Sequence, residues 1–431
     1  MANNLGSNVT RQVARVFLEA FDAARVISKA VDTQLLSGKF SPRSGSTVDF
    51  KRPHDYTTYR NATGDLTSYT KPDIISGKAT GTVQDFFSSS TEWDSVEEAL
   101  ELDQLDDVIA PMATRICQDL ESDFAQYCIQ NGGIQYAASG TYGTAVTTWG
   151  DIASAAAHMK SLGVPTDKQW SYIMNPHTTV TLANLQNALA SGSPSLVDNA
   201  WEKSMISRNF AGFQVLESTH LYGFTSATTG DLVGAVDGAP TLTYVGAKDT
   251  MTQVITVDAF GTYAGGVDAL KGQAVEIAAV SGALNQLSLS TRSAIVNSAG
   301  ANQLWRGNIV SNTAFTSGAG TITVTGPALY EANGGYNTVS QAIADNDVIT
   351  ILGADTTFYQ PNLVLHPQAF GLGTVKLPKL YSTDTVATTK DGMSIRVSKY
   401  SDGDTNKQKI RFDLLPAYSV FNPWFGGQAW G

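Results

Sequence analysis

The chain is poor in cysteine and in charge. Its 431 residues contain 2 cysteines, Cys117 and Cys128, which excludes a disulfide-stapled secreted scaffold. Both fall in one helical pattern, where eleven residues of rise set them roughly 16 Å apart, beyond disulfide reach. Packed, reduced thiols and a reducing compartment are the expectation. Charged residues make up 16% of the chain, against a usual quarter. No run of about 18 apolar residues is present, and the opening MANNLGSNVTRQVARVF has no apolar signal core. Synthesis in the cytoplasm is expected.

Signatures of chemistry are equally scarce. The histidines (His54, His158, His177, His220, His366) are scattered, and none forms an H-E-x-x-H pair. There is no G-x-G-x-x-G, no G-x-x-x-x-G-K-[ST] and no G-x-S-x-G. Ser218 stands two residues before His220 on a strand, so the two side chains share a face, but a third orienting group and an oxyanion signature are missing. Asp402-Gly403-Asp404-Thr405-Asn406 opens like a calcium loop. Its sixth position, however, is Lys407 and its twelfth Asp413, and Asp-Gly between two strands reads as a hairpin turn. Glu92, Asp94, Glu97, Glu98, Glu101, Asp103, Asp106 and Asp107 crowd one helix start, where the helix dipole favours acids. No catalytic residue, cofactor or metal is expected.

What is present is a globular composition. The hydrophobic fraction is 42%, with 39 glycines. A net charge of −11 disfavours nucleic-acid binding by the chain as a whole. The charge is uneven: residues 1–78 hold eleven Lys and Arg against seven Asp and Glu, while the remainder holds 17 against 32. A basic first fifth on an acidic body reads as an arm that meets an acidic surface.

Apolar residues at Val9, Val13, Val16, Phe17, Ala20, Ala24, Ile27 and Val31 predict an amphipathic helix, with Arg11, Arg15, Arg25 and Lys29 on another face. STVDFKR and ATGTVQDFF alternate as strands around a polar, Tyr-dotted stretch, which predicts a long hairpin. Such a hairpin is marginal alone and needs a neighbour to lie on. Leu102 to Cys128 steps by three or four residues, predicting a long helix ended by Gly132-Gly133 and kinked or divided at Pro111. Helix, strand, helix, strand follow over 145–223. From 224 to 345 charge falls and strand-like runs appear (TLTYV, QVITV, AVEIAAV, TITVTG and, just past the edge, DVITIL), predicting a β-rich module of small-barrel type. SIRVSKY and KIRFDLL flank a closing turn.

This order of parts resembles the major capsid proteins of tailed double-stranded DNA bacteriophages. Met174-Asn175-Pro176 before a helix looks like that family's strand, Asn-Pro turn and helix. Gly212-Phe213-Gln214-Val215-Leu216-Glu217-Ser218 is similar to its G-[LF]-x-V-x-x-S strand, and SIRVSKYSDGDTNKQKIRFDLLPAYSVFNPWF to its closing hairpin. The β-module resembles, in place and character, the inserted domain of coat proteins from short-tailed Salmonella-type phages.

The resemblance implies an α+β, HK-ninety-seven-like capsid fold. Its parts would be an N-terminal arm (1–45), an extended loop (46–92), a peripheral domain with spine helix (93–144), an axial domain (145–223, returning at 346–372), an inserted domain (224–345) and a closing peripheral hairpin (373–431). It implies pentamers and hexamers of an icosahedral shell in the virion, with a scaffolding protein, a portal protein, possible decoration proteins and enclosed DNA as partners. Candidate contacts between subunits are Arg11, Arg15, Arg25 and Lys29 of the arm, Lys51, Arg52, Arg60, Lys71 and Lys78 of the loop, and Lys248 with Asp249 in the insertion. Ser218 then belongs to an axial strand. Two other readings compete: a secreted or surface β-rich adhesin, which predicts signals or repeats, and a hydrolase using Ser218 and His220.

Overall fold

The computed structural model of the chain describes residues 6–32, 35, 45–54, 56, 58–69, 73–94, 105–185, 209–226, 232–297, 299–332, 334–354, 356–381 and 384–431, with the backbone alone at 6–13, 105–109 and 232. Lys71, Glu97, Glu98, Glu101 and Asp103 lie outside the described residues. The chain divides into two compact units. One comprises Met1–Asp49, Thr80–Ala125 and Phe370–Val420, the other Phe50–Ala79, Gln126–Ala369 and Phe421–Gly431. The architecture is α+β.

The first unit carries two open sheets. One orders its strands Thr47–Lys51, Lys78–Val83, Pro416–Val420, Phe370–Thr374; the other orders Thr385–Thr388, Ser394–Asp402, Lys407–Leu414, Phe87–Asp94. The expected hairpin on Thr47–Lys51 and Lys78–Val83 thus shares a sheet with two later strands, while Phe87–Asp94 belongs to the other sheet. The turn at 402–407 is a hairpin connection, with Asp402 Oδ1 accepting from Asp404 N at 3.1 Å. The N-terminal helix spans Gly6–Ala24 and packs on Thr385–Thr388 and Ser394–Asp402. Ala14, Phe17 and Phe21 are buried, and Phe17 stacks on Phe412 with ring centroids 4.4 Å apart.

That helix stops sooner than its apolar spacing predicts, and the chain resumes as a tight turn over Ile27–Lys29. The cause lies in the long helix, Leu105–Asn131. Its Glu121 carboxylate accepts from Ile27 N at 2.6 Å and Ser28 N at 3.1 Å. A continuing helix needs those two N–H groups for its own i−4 carbonyls. The long helix itself is not divided at Pro111. Cys117 and Cys128 are free and buried on it, and burial pushes the Cys117 thiol up to about 12, leaving it unreactive.

In the second unit, a six-stranded sheet orders Ile134–Ala137, Gly426–Trp430, Asn362–Leu365, Trp170–Met174, Phe213–Glu217, Asn209–Phe210. The helix Trp149–Leu162 starts on a capping box of Thr148 and Asp151 and ends on Gly163 at φ 92. Asn175 caps Pro176–Asn184, accepting from His177 N, with Pro176 at the first turn. The β-rich stretch closes into a six-stranded antiparallel barrel ordered Thr252–Asp258, Gly320–Thr325, Arg306–Asn312, Ala274–Ala278, Val348–Ile351, Leu232–Val236. Its closing strand, Val348–Ile351, lies beyond residue 345. Ile255, Val257, Val275, Ile277, Ile309, Ile322, Val324, Ile349 and Ile351 are buried, as inward-facing positions of a small barrel must be.

Candidate assembly surface

The N-terminal cations do not form one stripe. Because the helix ends at Ala24, Arg25 leaves its face and turns inward. It is buried, donating from Nε to Ser28 Oγ at 2.8 Å and from Nη1 to Asp391 Oδ2 at 2.9 Å. The Ser28 hydroxyl in turn donates to Glu121. Arg25, Ser28 and Glu121 therefore form a buried polar chain that fixes the turn after the helix. Arg15 and Lys29 stay exposed. Arg15 Nε lies 3.1 Å from Glu19 and Lys29 Nζ 3.5 Å from Asp22. Arg11 lies on the helix, its side chain outside those described.

The loop of the second unit divides its cations similarly. Arg52 is buried and donates from Nε to Lys78 O at 3.1 Å, from Nη1 to Phe421 O and from Nη2 to Asp249 O at 3.4 Å. Burial lowers its guanidinium to about 10, against the raising influence of Tyr244 and Asp249. Asp249 Oδ1 accepts from Lys78 N at 3.1 Å and its Oδ2 lies 3.0 Å from Lys248 Nζ. The helical turn Tyr244–Ala247 and its Lys248-Asp249 sequel thus clasp the two ends of the loop. Arg60 between those ends, and Lys51 and Lys78 at them, are exposed. So are Tyr56 at 59% and Ile74 at 74%.

The Ser218–His220 pair has another role. Ser218 is buried, and its Oγ accepts from the backbone N–H of His220 at 3.1 Å, closing a turn after the strand Phe213–Glu217. Among the described residues, no group of three or more His, Cys, Asp or Glu is placed to hold a metal ion. No helix there is long and apolar enough to cross a membrane.

Glu121 and Asp413, two of the buried acids, carried no structural role in the sequence reading. Glu121 sits on the helix stripe Cys117, Glu121, Phe124, Cys128, so its spacing alone places it on the buried face. Asp413 meets Arg396 Nη2 at 2.6 Å, Arg411 Nε at 2.7 Å and the Ser88 hydroxyl at 2.6 Å. Burial pushes its carboxyl up, but these partners prevail and hold it below the usual range. Its strand alternation gave no comparable signal.

The chain belongs to the P22 coat protein family, whose model, described as P22 coat protein, gene protein 5, matches residues 1–431. It is a phage major capsid protein, a structural component of the virion and not an enzyme. It is 38% identical over 435 residues to the major capsid protein of Acyrthosiphon pisum secondary endosymbiont phage 1, covering 100% of both chains. Among solved structures it is similar to the capsid of cyanophage P-SCSP1u, at 12% identity and a TM-score of 0.44 over 94% of this chain and 89% of that one. It is also similar to the capsid of Ralstonia phage GP4, at 8% identity and a TM-score of 0.43 over 94% and 88%.

Proposed function

We propose that many copies of this chain close into an icosahedral shell of pentamers and hexamers around packaged double-stranded DNA, through a scaffolded precursor that matures. The supporting observation is the loop of residues 52–77. It is anchored by buried Arg52, yet holds Tyr56 and Ile74, like Arg60, out to solvent. A polar loop fixed at its root and carrying exposed apolar side chains at Tyr56, Leu66 and Ile74 is suited to lie across a neighbouring copy. Lys51, Arg60, Lys71 and Lys78 would meet acidic surface there, and Lys248 with Asp249 would offer a mutual ion pair.

Arg11, Arg15 and Lys29 would face a scaffolding protein or an adjacent copy, while Arg25 and Arg52 hold the frame from within. The six-stranded sheet and its helices would surround each symmetry axis, and portal and decoration proteins would join the finished shell. Each exposed ion pair contributes about 0–1 kcal/mol; repetition and closure supply the rest. An acidic body also keeps packaged DNA from adhering.

The test is co-expression with the scaffolding protein, followed by sedimentation and electron microscopy. Closed uniform particles are expected. A monomer under every condition, scaffold included, overturns the reading.

A further inference from the structure

The strand Phe87–Asp94 pairs with Lys407–Leu414 along its whole length, from Phe87 opposite Leu414 to Asp94 opposite Lys407, without a bulge. Its other edge pairs with no strand among the described residues. Exposed edges of this length are ordinarily blunted by Lys, Pro or a bulge. Here the sequence is FSSSTEWD. It has no basic residue and no proline, and the charge of Glu92 is already met by Lys407 at 2.7 Å and Lys409 at 3.1 Å. An edge without these devices, and unpaired among the described residues, is suited to accept another strand.

The sequence also says which strand. Read about Ser90, the segment is nearly complementary to itself when reversed. Ser90 faces Ser90, Ser89 faces Thr91, Ser88 faces Glu92 and Phe87 faces Trp93. The pleat agrees, since Ser88, Ser90 and Glu92 are exposed on one face while Phe87, Ser89, Thr91 and Trp93 lie on the more buried one. The favourable pairings are an aromatic pair at either end and hydroxyl pairs between; Ser88 and Glu92 face each other with their own partners already met within the subunit, Ser88 at Asp413 and Glu92 at Lys407 and Lys409. No like charges oppose one another.

We infer that this edge pairs antiparallel with the same strand of a second copy, about a twofold axis through Ser90, so that two four-stranded sheets become one continuous sheet. Such a contact is isologous and closed. It deepens the shell reading, on which it rests, by naming one surface through which copies meet.

Ser90→Cys tests it in assembled particles. Facing residues of an antiparallel pair have Cβ atoms about 4.5–5.5 Å apart, close enough for a disulfide to form with small adjustment. Cys117 and Cys128 are buried and do not compete. Mild oxidation should convert Ser90→Cys chains to dimers on a non-reducing gel, whereas Glu92→Cys chains, facing Ser88, stay monomeric. Ser90→Lys places a charge opposite itself and should lower particle yield about fivefold with normal subunit melting, as a loss near 1 kcal/mol per contact implies.

Three results overturn the pairing. Ser90→Cys particles that remain monomeric while reacting with a maleimide show an open edge. A thiol that neither reacts nor dimerises shows the edge covered by some other segment. Equal dimerisation of Glu92→Cys shows collision without register. If the unmodified chain closes no particles, the same oxidation is read on the concentrated subunit. A Ser90→Cys dimer there keeps the pairing and strikes the shell reading; a monomer strikes both.

Discussion

The barrel of the second unit and the hairpin sheet of the first solve the same problem in opposite ways. In the barrel every strand has two neighbours, so the ladder has no edge and backbone groups are satisfied internally. Its interior is aliphatic, with Trp305 buried nearby and donating from Nε1 to Gly326 O at 3.1 Å. The hairpin sheet is open at Phe87–Asp94 and carries a buried ion pair, Arg396 with Asp413, flanked by Arg411 and Ser88 nearer the surface. Closure leaves one module without a strand edge, although its core runs on into that of the six-stranded sheet. Openness leaves the other a surface to share, and ion pairs rather than a ring of strands hold its geometry.

Breaking each module at its centre sharpens the contrast most. Asp413→Ala leaves the Arg396 guanidinium buried without its carboxylate, and the loss should reach about 3–5 kcal/mol, read by denaturant unfolding. A loss under about 1 kcal/mol would show that charge does not hold the open sheet. Trp305→Ala should cost a similar amount, about 3–5 kcal/mol, through the cavity and the lost donor. Its effect should appear as faster hydrogen exchange in the barrel strands while exchange in the hairpin sheet is unchanged. Spread of the effect to both would show that the barrel and the hairpin sheet open together.

A smaller effect separates the two by pH. Burial lowers His158, on the helix Trp149–Leu162 of the second unit, to about 4. Between about 4 and the unfolded value near 6.5 the unfolded chain binds the extra proton, so stability falls as pH drops through that window. His366, also lowered chiefly by burial although Asp167 opposes this, acts with the same sign. His158→Gln should flatten the decline without abolishing it; an unchanged slope would assign the decline to other groups. Asp413, held low, loses its contribution only in more acid solution. Smallest of all, Arg15→Glu should move subunit unfolding by under about 0.5 kcal/mol and yet reduce particle assembly. Normal assembly would remove Arg15 from the contact surface.

Much of this was legible in the residues. Thr148 and Asp151, Asn175-Pro176 and Asp402-Gly403 are local devices, and they start helices or turn hairpins where their chemistry requires. The helix over 105–131 and the β-character of the later stretch follow from periodicity. Arg25 and Arg52 were different. Each was one basic residue among several, and nothing local distinguished them from Arg15 or Arg60. What sets them apart is acceptors far along the chain, Asp391 for Arg25 and Phe421 for Arg52.

Close approach gives the same lesson. A side chain at Gly132 would meet Gly427 Cα at 2.5 Å and Gly426 O at 2.8 Å. The Gly132-Gly133 pair therefore reads locally as a helix stop but serves also to let the strand Gly426–Trp430 lie against the helix end. By itself the sequence determined many of the helices, strands and turns, because those depend on neighbours within a few residues; TLTYV, read as a strand, is instead a loop leading into the helical turn Tyr244–Ala247, and the barrel strands Leu232–Val236 and Arg306–Asn312 gave no such signal. Whether strands closed into a ring or left an edge, and which cations faced water, only the tertiary structure decided. Those outcomes depend on partners hundreds of residues away, brought near by packing of the whole unit.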